Sequence, residues 1–172
     1  MSENPTTATA DYSAAILRAK AAETLNEWAG VFMDSLIGAA SAPVFHASIS
    51  FSRQAASHER NQIAMTGVVH QRKVHLHYDH VIVKKSGQLG GRIRFSLVDH
   101  AEGKTVVSVI FDTQGNACFE GENAVMHRMK LSAEGSLVRR PTAEGGSLEE
   151  LQRQTLNRLI AGVQKHLDTV EM

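Results

Sequence analysis

The sequence predicts an α+β domain with an N-terminal helix, an antiparallel meander sheet of five or six strands, and a C-terminal helix packed on one sheet face. Apolar residues recur every three or four positions over residues 11–40 and again after Ser147. Between these segments apolar residues alternate with polar ones, which is typical of half-buried strands. A length of 172 residues suits one domain. We therefore assign residues 11–172 to a single domain and residues 1–10 to a disordered tail.

The N-terminal helix is predicted over residues 11–40. Gly38 and the stretch before Pro43 favour an end to the helix, because the residue before a proline prefers an extended conformation. Val31 and Ile37 widen the apolar stripe, so this helix face is broad enough to contact a partner as well as the core. The stripe itself consists of Leu17, Ala21, Leu25, Trp28, Phe32 and Leu36.

The sheet is predicted from alternation with a period of two, which begins at Val44. The glycine-rich stretch SGQLGG at residues 86–91 predicts a flexible loop, and residues 71–73 predict a turn. Such a meander buries one face, and the two helices are available to cover it. The predicted strands span residues 44–52, 62–70, 74–84, 92–98 and 105–112, with two shorter ones over 117–122 and 124–131.

The C-terminal helix is predicted to begin at Ser147, after a linker over residues 135–146. Ser147 and Glu150 form the pattern Ser-x-x-Glu, which is typical of a capping box at a helix start. An apolar stripe follows and predicts that this helix packs on the sheet. Its members are Leu148, Leu151, Leu156, Leu159, Ile160, Val163, Leu167 and Val170.

The amino-acid composition says more about the cellular compartment of the protein than about its function. Eighteen basic and eighteen acidic residues cancel, so net charge favours neither a nucleic-acid nor a membrane partner. The single cysteine, Cys118, excludes an intrachain disulfide and favours a reducing compartment. No segment has the apolar length needed to cross a bilayer, and the N-terminus lacks the pattern of a secretory signal. We predict a cytoplasmic protein that has no membrane partner.

The stretch HLHYDH at residues 75–80 is the densest group of metal-ligating residue types in the chain. Its spacing, His75-x-His77-x-Asp79-His80, resembles the metal-binding signature of the metallo-β-lactamase family. The resemblance implies one or two zinc ions, with Asp79 and His80 serving the second metal and a bridging hydroxide attacking the substrate. It covers only these six residues. The chain is shorter than the family's two-sheet sandwich needs, and the motif continues into VIVKK instead of a glycine-rich helix entry.

Strand geometry gives the same stretch two other interpretations. Alternation places His75, His77 and Asp79 on one face of a strand and His80 on the other. These residues then form either a solvent-facing polar row or a different metal site. Such a site would use the His75 and His77 pair, completed by Asp79 or by a histidine from a neighbouring strand, for which the candidates are His46 and His70.

Basic residues cluster locally although the net charge is zero. Between His70 and Arg94 the only acidic residue is Asp79. A basic sheet face there would bind nucleic-acid phosphates or an acidic protein segment. It lacks the stacking aromatics of single-strand binders, since only Tyr78 lies nearby and its face is predicted to be buried. The candidate binding residues are Arg72, Lys73, Lys84, Lys85, Arg92 and Arg94.

Two functional hypotheses follow. The sequence favours a non-enzymatic interaction module, a small cytosolic adaptor, chaperone or regulator, that binds an acidic protein or nucleic-acid partner without a cofactor. An exposed edge strand or the apolar stripe of the C-terminal helix would provide a symmetric interface, which predicts a homo-oligomer, most simply a dimer. The alternative is a metal-dependent hydrolase that uses zinc at His75, His77, Asp79 and His80.

Overall fold

The computed structural model describes residues 5–53, 65–84, 86–98, 104–122, 127–128 and 146–167. Helix α1 spans Pro5–Ala40, a short helix α2 spans Pro43–His46, and helix α3 spans Leu148–Gln164. The strands are β1 (Ile49–Arg53), β2 (Met65–Val69), β3 (Arg72–Val83), β4 (Gln88–Leu97), β5 (Thr105–Phe111), β6 (Asn116–Phe119), β7 (His127–Arg128) and β8 (Gly146–Ser147).

The sheet follows chain order from β1 to β8, which makes it a meander. Each neighbouring pair from β1 to β6 is antiparallel. The two-residue strands extend this edge, with β7 antiparallel to β6 and β8 parallel to β7. Both α1 and α3 contact the sheet and each other. The predicted α+β class, with six antiparallel strands between two helices, is confirmed.

Helix α1 begins at Pro5 and therefore includes residues 5–10, which the sequence pattern assigns to the tail. Its C-terminal half carries the predicted apolar stripe into the core, where Leu25, Phe32 and Leu36 are fully buried. Its N-terminal half projects away, since residues 12–20 are all exposed. Among the helices of the described residues, none is long and apolar enough to cross a membrane.

The prediction that the first strand begins at Val44 is wrong. Pro43 opens α2 after an extended Ala42, because its fixed φ and missing N–H suit the first turn of a helix. The alternation of apolar and polar residues before Ile49 therefore reflects a helical turn rather than a strand. Strand β1 itself begins only at Ile49, whose side chain is buried.

The predicted loop over residues 86–91 is also too long, because β4 begins at Gln88. Gly90 and Gly91 lie within the strand, and their small size serves packing rather than flexibility. A side chain at Gly91 would bring a Cβ within 2.5 Å of Phe111 Cζ and 3.1 Å of Tyr78 Cε2. The bare backbone thus makes room for Phe111, whose ring stacks on Tyr78 with centroids 6.1 Å apart.

One face of the sheet is buried beneath the helices, and we call it the covered face. Ser147 caps α3 by accepting a hydrogen bond from the Glu150 amide at 3.2 Å, as the sequence pattern predicts. Near the other end of α3, the Arg72 guanidinium donates to the His166 carbonyl at 3.3 Å. The buried strand residues of the covered face include Val74, Leu76, Tyr78, Ile93, Phe95, Leu97, Val107, Val109 and Phe111, and α3 adds Leu148, Leu151, Leu156, Leu159 and Val163.

A buried histidine lies in strand β7 at the edge of the sheet. His127 is 1% exposed, and its Nδ1 has no hydrogen-bond partner among the described residues. Burial lowers the pKa of His127 below its ordinary value of 6.5, and Arg158 acts in the same direction, against the charge of Glu150 and a hydrogen bond from the imidazole to the Ser147 backbone carbonyl, which raise it.

We expect the free energy of unfolding to fall as the pH drops below about 6.5, because the unfolded chain then takes up a proton that folded His127 does not. The loss stops growing once the pH is below the lowered pKa of the folded state. Urea unfolding of the wild type and His127→Gln at several pH values tests this, with exposed His46→Gln as control. If the free energy of unfolding depends on pH in the same way in the wild type and in His127→Gln, then His127 is not the cause of the loss of stability in acid.

Candidate binding face of the sheet

The second face of the sheet is polar, and we call it the open face. Strand alternation places its side chains opposite to those of the covered face. Between buried Val74, Leu76 and Tyr78, for example, His75 is half-buried and His77 is exposed. The open face carries Ser50 and Ser52 of β1, Thr66 and Val68 of β2, Lys73, His75, His77 and Asp79 of β3, Arg92, Arg94 and Ser96 of β4, and Ser108 of β5.

The long β3–β4 pairing decides which open-face residues meet. His75 lies opposite Ser96, His77 opposite Arg94, and Asp79 opposite Arg92. Directly opposed residues on one face have Cβ atoms about 5 Å apart, which is close enough for side chains to pair. Of the residues that the sequence analysis singled out, His77 is therefore the direct neighbour of Arg94, and Asp79 is that of Arg92.

Asp79 is held by both arginines. Arg92 donates to its carboxylate from Nη2 at 2.5 Å and from Nε at 3.3 Å, and Arg94 Nε lies 3.4 Å from Asp79 Oδ1. Arg92 Nη1 also lies 3.5 Å from Glu120 Oε1, whose other oxygen accepts from the Ser108 hydroxyl at 2.6 Å. The hydrogen bond to Asp79 is the main cause that raises the pKa of Arg92. We call Asp79, Arg92, Ser108 and Glu120 the paired half of the open face.

The residues of the HLHYDH stretch do not converge on one point. His80 lies on the other face of β3, where its Nε2 is 3.2 Å from Asn26 Oδ1 of α1 and its ring contacts Tyr78 edge-on at 5.4 Å. The carboxylate of Asp79 is occupied by guanidinium groups. Within the described part of the chain, no group of three or more His, Cys, Asp or Glu side chains could hold a metal ion. The arrangement does not fit the zinc site that the motif resemblance implies.

His75 and His77 form an edge-on ring pair with centroids 5.9 Å apart. Burial lowers the pKa of His77, and the charges of His75 and Arg94 lower it further, against the opposing effect of Asp79. A proton on His77 is therefore less favourable than in water at the same pH. An anion bound beside the pair would stabilise the protonated form and offset this effect.

The remaining predicted basic residues are distributed over the molecule. Lys73 is exposed on the open face, two positions before His75. Arg72 belongs to the covered side, where it reaches α3, and Lys84 lies exposed in the turn after β3. Lys85 lies outside the described residues. We call Lys73, His75, His77 and Arg94 the cationic half of the open face.

A concavity of about 480 Å³ lies at the β1 edge of the cationic half. Its open-face residues are Ser50, Ser52, Thr66, Val68, Lys73 and His75, and Phe51 and Gly67 also line it. The hydroxyls of Ser52 and Thr66 are 3.2 Å apart. The alternation of β1 places Ser50 and Ser52 on one face but gives them no role, because the concavity arises only when β1, β2 and β3 are in register.

Comparisons with known proteins identify no relative. No family model matches the sequence, and neither the curated proteins nor the solved structures contain a significant match to the chain. The function is therefore inferred from the open face itself.

Proposed function

We propose that this protein is a non-enzymatic interaction module, of the adaptor, chaperone or regulator type, that binds an acidic protein segment through the cationic half of its open face. One observation carries the proposal. Asp79 and Glu120 are engaged by Arg92, whereas Lys73, which is exposed, has no acidic partner among the described residues. The two carboxylates are thus balanced by Arg92 and Arg94, and the Lys73 ammonium is a positive charge that is left available beside them.

An acidic protein segment fits this surface better than a nucleic acid does. Affinity for nucleic acid grows with the number of phosphates that are neutralised, and the cationic half supplies few permanent charges. Binding of single strands also relies on exposed aromatic platforms. Tyr78 is 4% exposed and belongs to the covered face, so it offers no such platform.

The zinc-hydrolase alternative is not favoured by the geometry. It requires Asp79 and His80 to turn toward one centre, but they leave β3 on opposite faces. Releasing Asp79 would also leave Arg92 and Arg94 without their shared carboxylate, which is costly for partly buried charges.

A labelled glutamate-rich peptide tests the proposal by fluorescence anisotropy. We expect binding at low ionic strength that weakens as salt is added, since interactions between exposed charges are screened. Lys73→Glu should weaken binding about tenfold, because it turns an attractive charge into a repulsive one. Lys20→Glu makes the same charge change on the exposed part of α1 and should have little effect.

Two results would contradict the acidic-segment proposal. Equal affinity of Lys73→Glu and Lys20→Glu would show that the peptide responds to overall charge and not to the open face. Preference for a single-stranded oligonucleotide of equal charge over the peptide would identify a nucleic-acid partner instead.

Self-association is the second part of the proposal. The exposed half of α1 carries Tyr12 and Leu17, which are 70% and 68% exposed. Leu17 continues the stripe that is buried from Leu25 onward, so the apolar surface extends beyond the core. Light scattering should show a dimer that Leu17→Glu converts to a monomer, whereas exposed Glu23→Gln should not. A wild-type monomer at high concentration would refute this part.

A further inference from the structure

The concavity at the β1 edge has a defined arrangement of donors. The sheet register places Ser52, Thr66 and His75 side by side across three strands. Ser50, Val68 and Lys73 form the adjacent row. The two rows put two β1 hydroxyls, one β2 hydroxyl, one imidazole and one ammonium group around a single depression of about 480 Å³.

The chemistry of this set favours an anion. Each hydroxyl can donate a hydrogen bond, the Lys73 ammonium has three donors, and a protonated imidazole has two. No carboxylate is among the described residues that line the concavity. A second concavity of about 330 Å³ provides the contrast, because it is lined by Glu120 and Glu122 as well as by Arg158, which pairs with Glu122.

The strand register brings the residues that carry the donors within reach of one small oxyanion. Lys73 and His75 are two residues apart on one strand, so their Cα atoms are about 7 Å apart, and Thr66 lies one strand spacing away at about 5 Å. An oxyanion between them can accept hydrogen bonds of about 2.8 Å from each side. The neighbouring His77 and Arg94 lie opposite each other on the open face and do not line the depression.

We propose that this concavity is the subsite that receives the oxyanion group of the partner's side chain, a phosphoryl group in preference to a carboxylate. The inference rests on the proposed function and locates its main contact. A carboxylate is matched best by the planar fork of an arginine, and none of the described residues that line the depression is an arginine. A tetrahedral phosphoryl group is instead matched by donors that approach from several directions. These are the Lys73 ammonium and the hydroxyl pair of Ser52 and Thr66, in which one hydroxyl donates to the other and the second keeps its proton for the ligand.

The first test uses inorganic phosphate alone. In a two-dimensional amide NMR titration of the wild-type protein, we expect saturable shifts concentrated at Ser52, Thr66, Lys73 and His75. The double variant Lys73→Met/Thr66→Val keeps the side-chain volumes and removes two donors, so it should weaken phosphate binding about tenfold or more. Lys165→Met, which changes the second concavity, is the matched control and should bind as the wild type does.

The second test uses three versions of one acidic peptide that carry phosphoserine, glutamate or serine at the same position. We expect the order phosphoserine, glutamate, serine in affinity, with the preference for phosphoserine lost in Lys73→Met/Thr66→Val. A well-dispersed NMR spectrum of this variant establishes that it is folded. Glutamate binding as tight as phosphoserine binding would overturn the phosphoryl assignment.

The two tests separate failure of the subsite from failure of the function. Localised phosphate shifts without peptide binding would support the subsite and refute the acidic-segment proposal. Peptide binding that the double variant leaves unchanged would refute the subsite and leave the proposal standing. Phosphate shifts spread evenly over the surface would also overturn the subsite.

Discussion

Replacing Phe95 with alanine is expected to lower the free energy of unfolding by about 3–5 kcal/mol, the usual cost of removing a fully buried phenyl ring. Phe95 is 0% exposed in the centre of the covered face. It lies opposite Leu76 on β3 and Val107 on β5, and its ring centroid is 6.4 Å from that of Phe51. Because strands on both sides and the helices above fix these neighbours, they cannot collapse into the space that the ring leaves.

Urea unfolding followed by circular dichroism measures the effect. Phe95→Leu should lose a smaller part of the stability, because it keeps most of the apolar volume. Val44→Ala is the surface control, since Val44 is 78% exposed and its truncation should change stability by no more than about 0.5 kcal/mol. If Phe95→Ala and Val44→Ala unfold at similar denaturant concentrations, the covered face is not the core.

The substitution Asp79→Asn is expected to strengthen binding of the acidic peptide about tenfold. It keeps the size of the side chain but removes the charge that Arg92 and Arg94 share. Arg94 then loses its carboxylate partner and Arg92 keeps only Glu120, so the open face becomes more positive and attracts an anionic partner more strongly. The same substitution should lower the stability of the fold, because partly buried charges lose their counter-ion.

This prediction also discriminates between the two functional hypotheses. In a metal-dependent hydrolase Asp79 would be a ligand, and Asp79→Asn would weaken function instead of strengthening binding. Glu120→Gln is the matched comparison. It removes the more exposed carboxylate from the same network, yet Arg92 keeps Asp79, so the gain in peptide affinity should be smaller. Anisotropy titrations of the wild type and both variants give the order of their affinities for the peptide. A loss of affinity in Asp79→Asn would refute the argument that removing this charge strengthens binding.

Local sequence patterns predicted the helices and strands well where only one structural preference acted on a segment. The alternation of β3 placed His75, His77 and Asp79 on one face, and Ser147 was recognised as the helix cap. Prediction failed where two structural preferences competed in the same segment. Pro43 starts a helical turn in a segment whose alternation predicts a strand. The sequence assigns Gly91 to a flexible loop, although the contact with Phe111 leaves no room there for a side chain.

The candidate site was predicted only in part, because side-chain neighbours across a sheet depend on register. A single strand shows which residues share a face, but not that Asp79 lies opposite Arg92. Alternation along β3 places Arg72 on the covered side. A count of basic residues does not separate Arg72 from those on the open face. The concavity depends on the pairing of Ser52 with Thr66. No local sequence pattern encodes that pairing.

The meander order has a consequence for biosynthesis. Each strand from β2 to β6 pairs with the strand made just before it, so hairpins can form as the chain leaves the ribosome. Helix α3 is synthesised after these strands, yet its leucines complete the covered face. Until α3 emerges, the nascent sheet exposes apolar surface that α1 alone shields. That interval is when the polypeptide is most prone to aggregate and most in need of a folding helper.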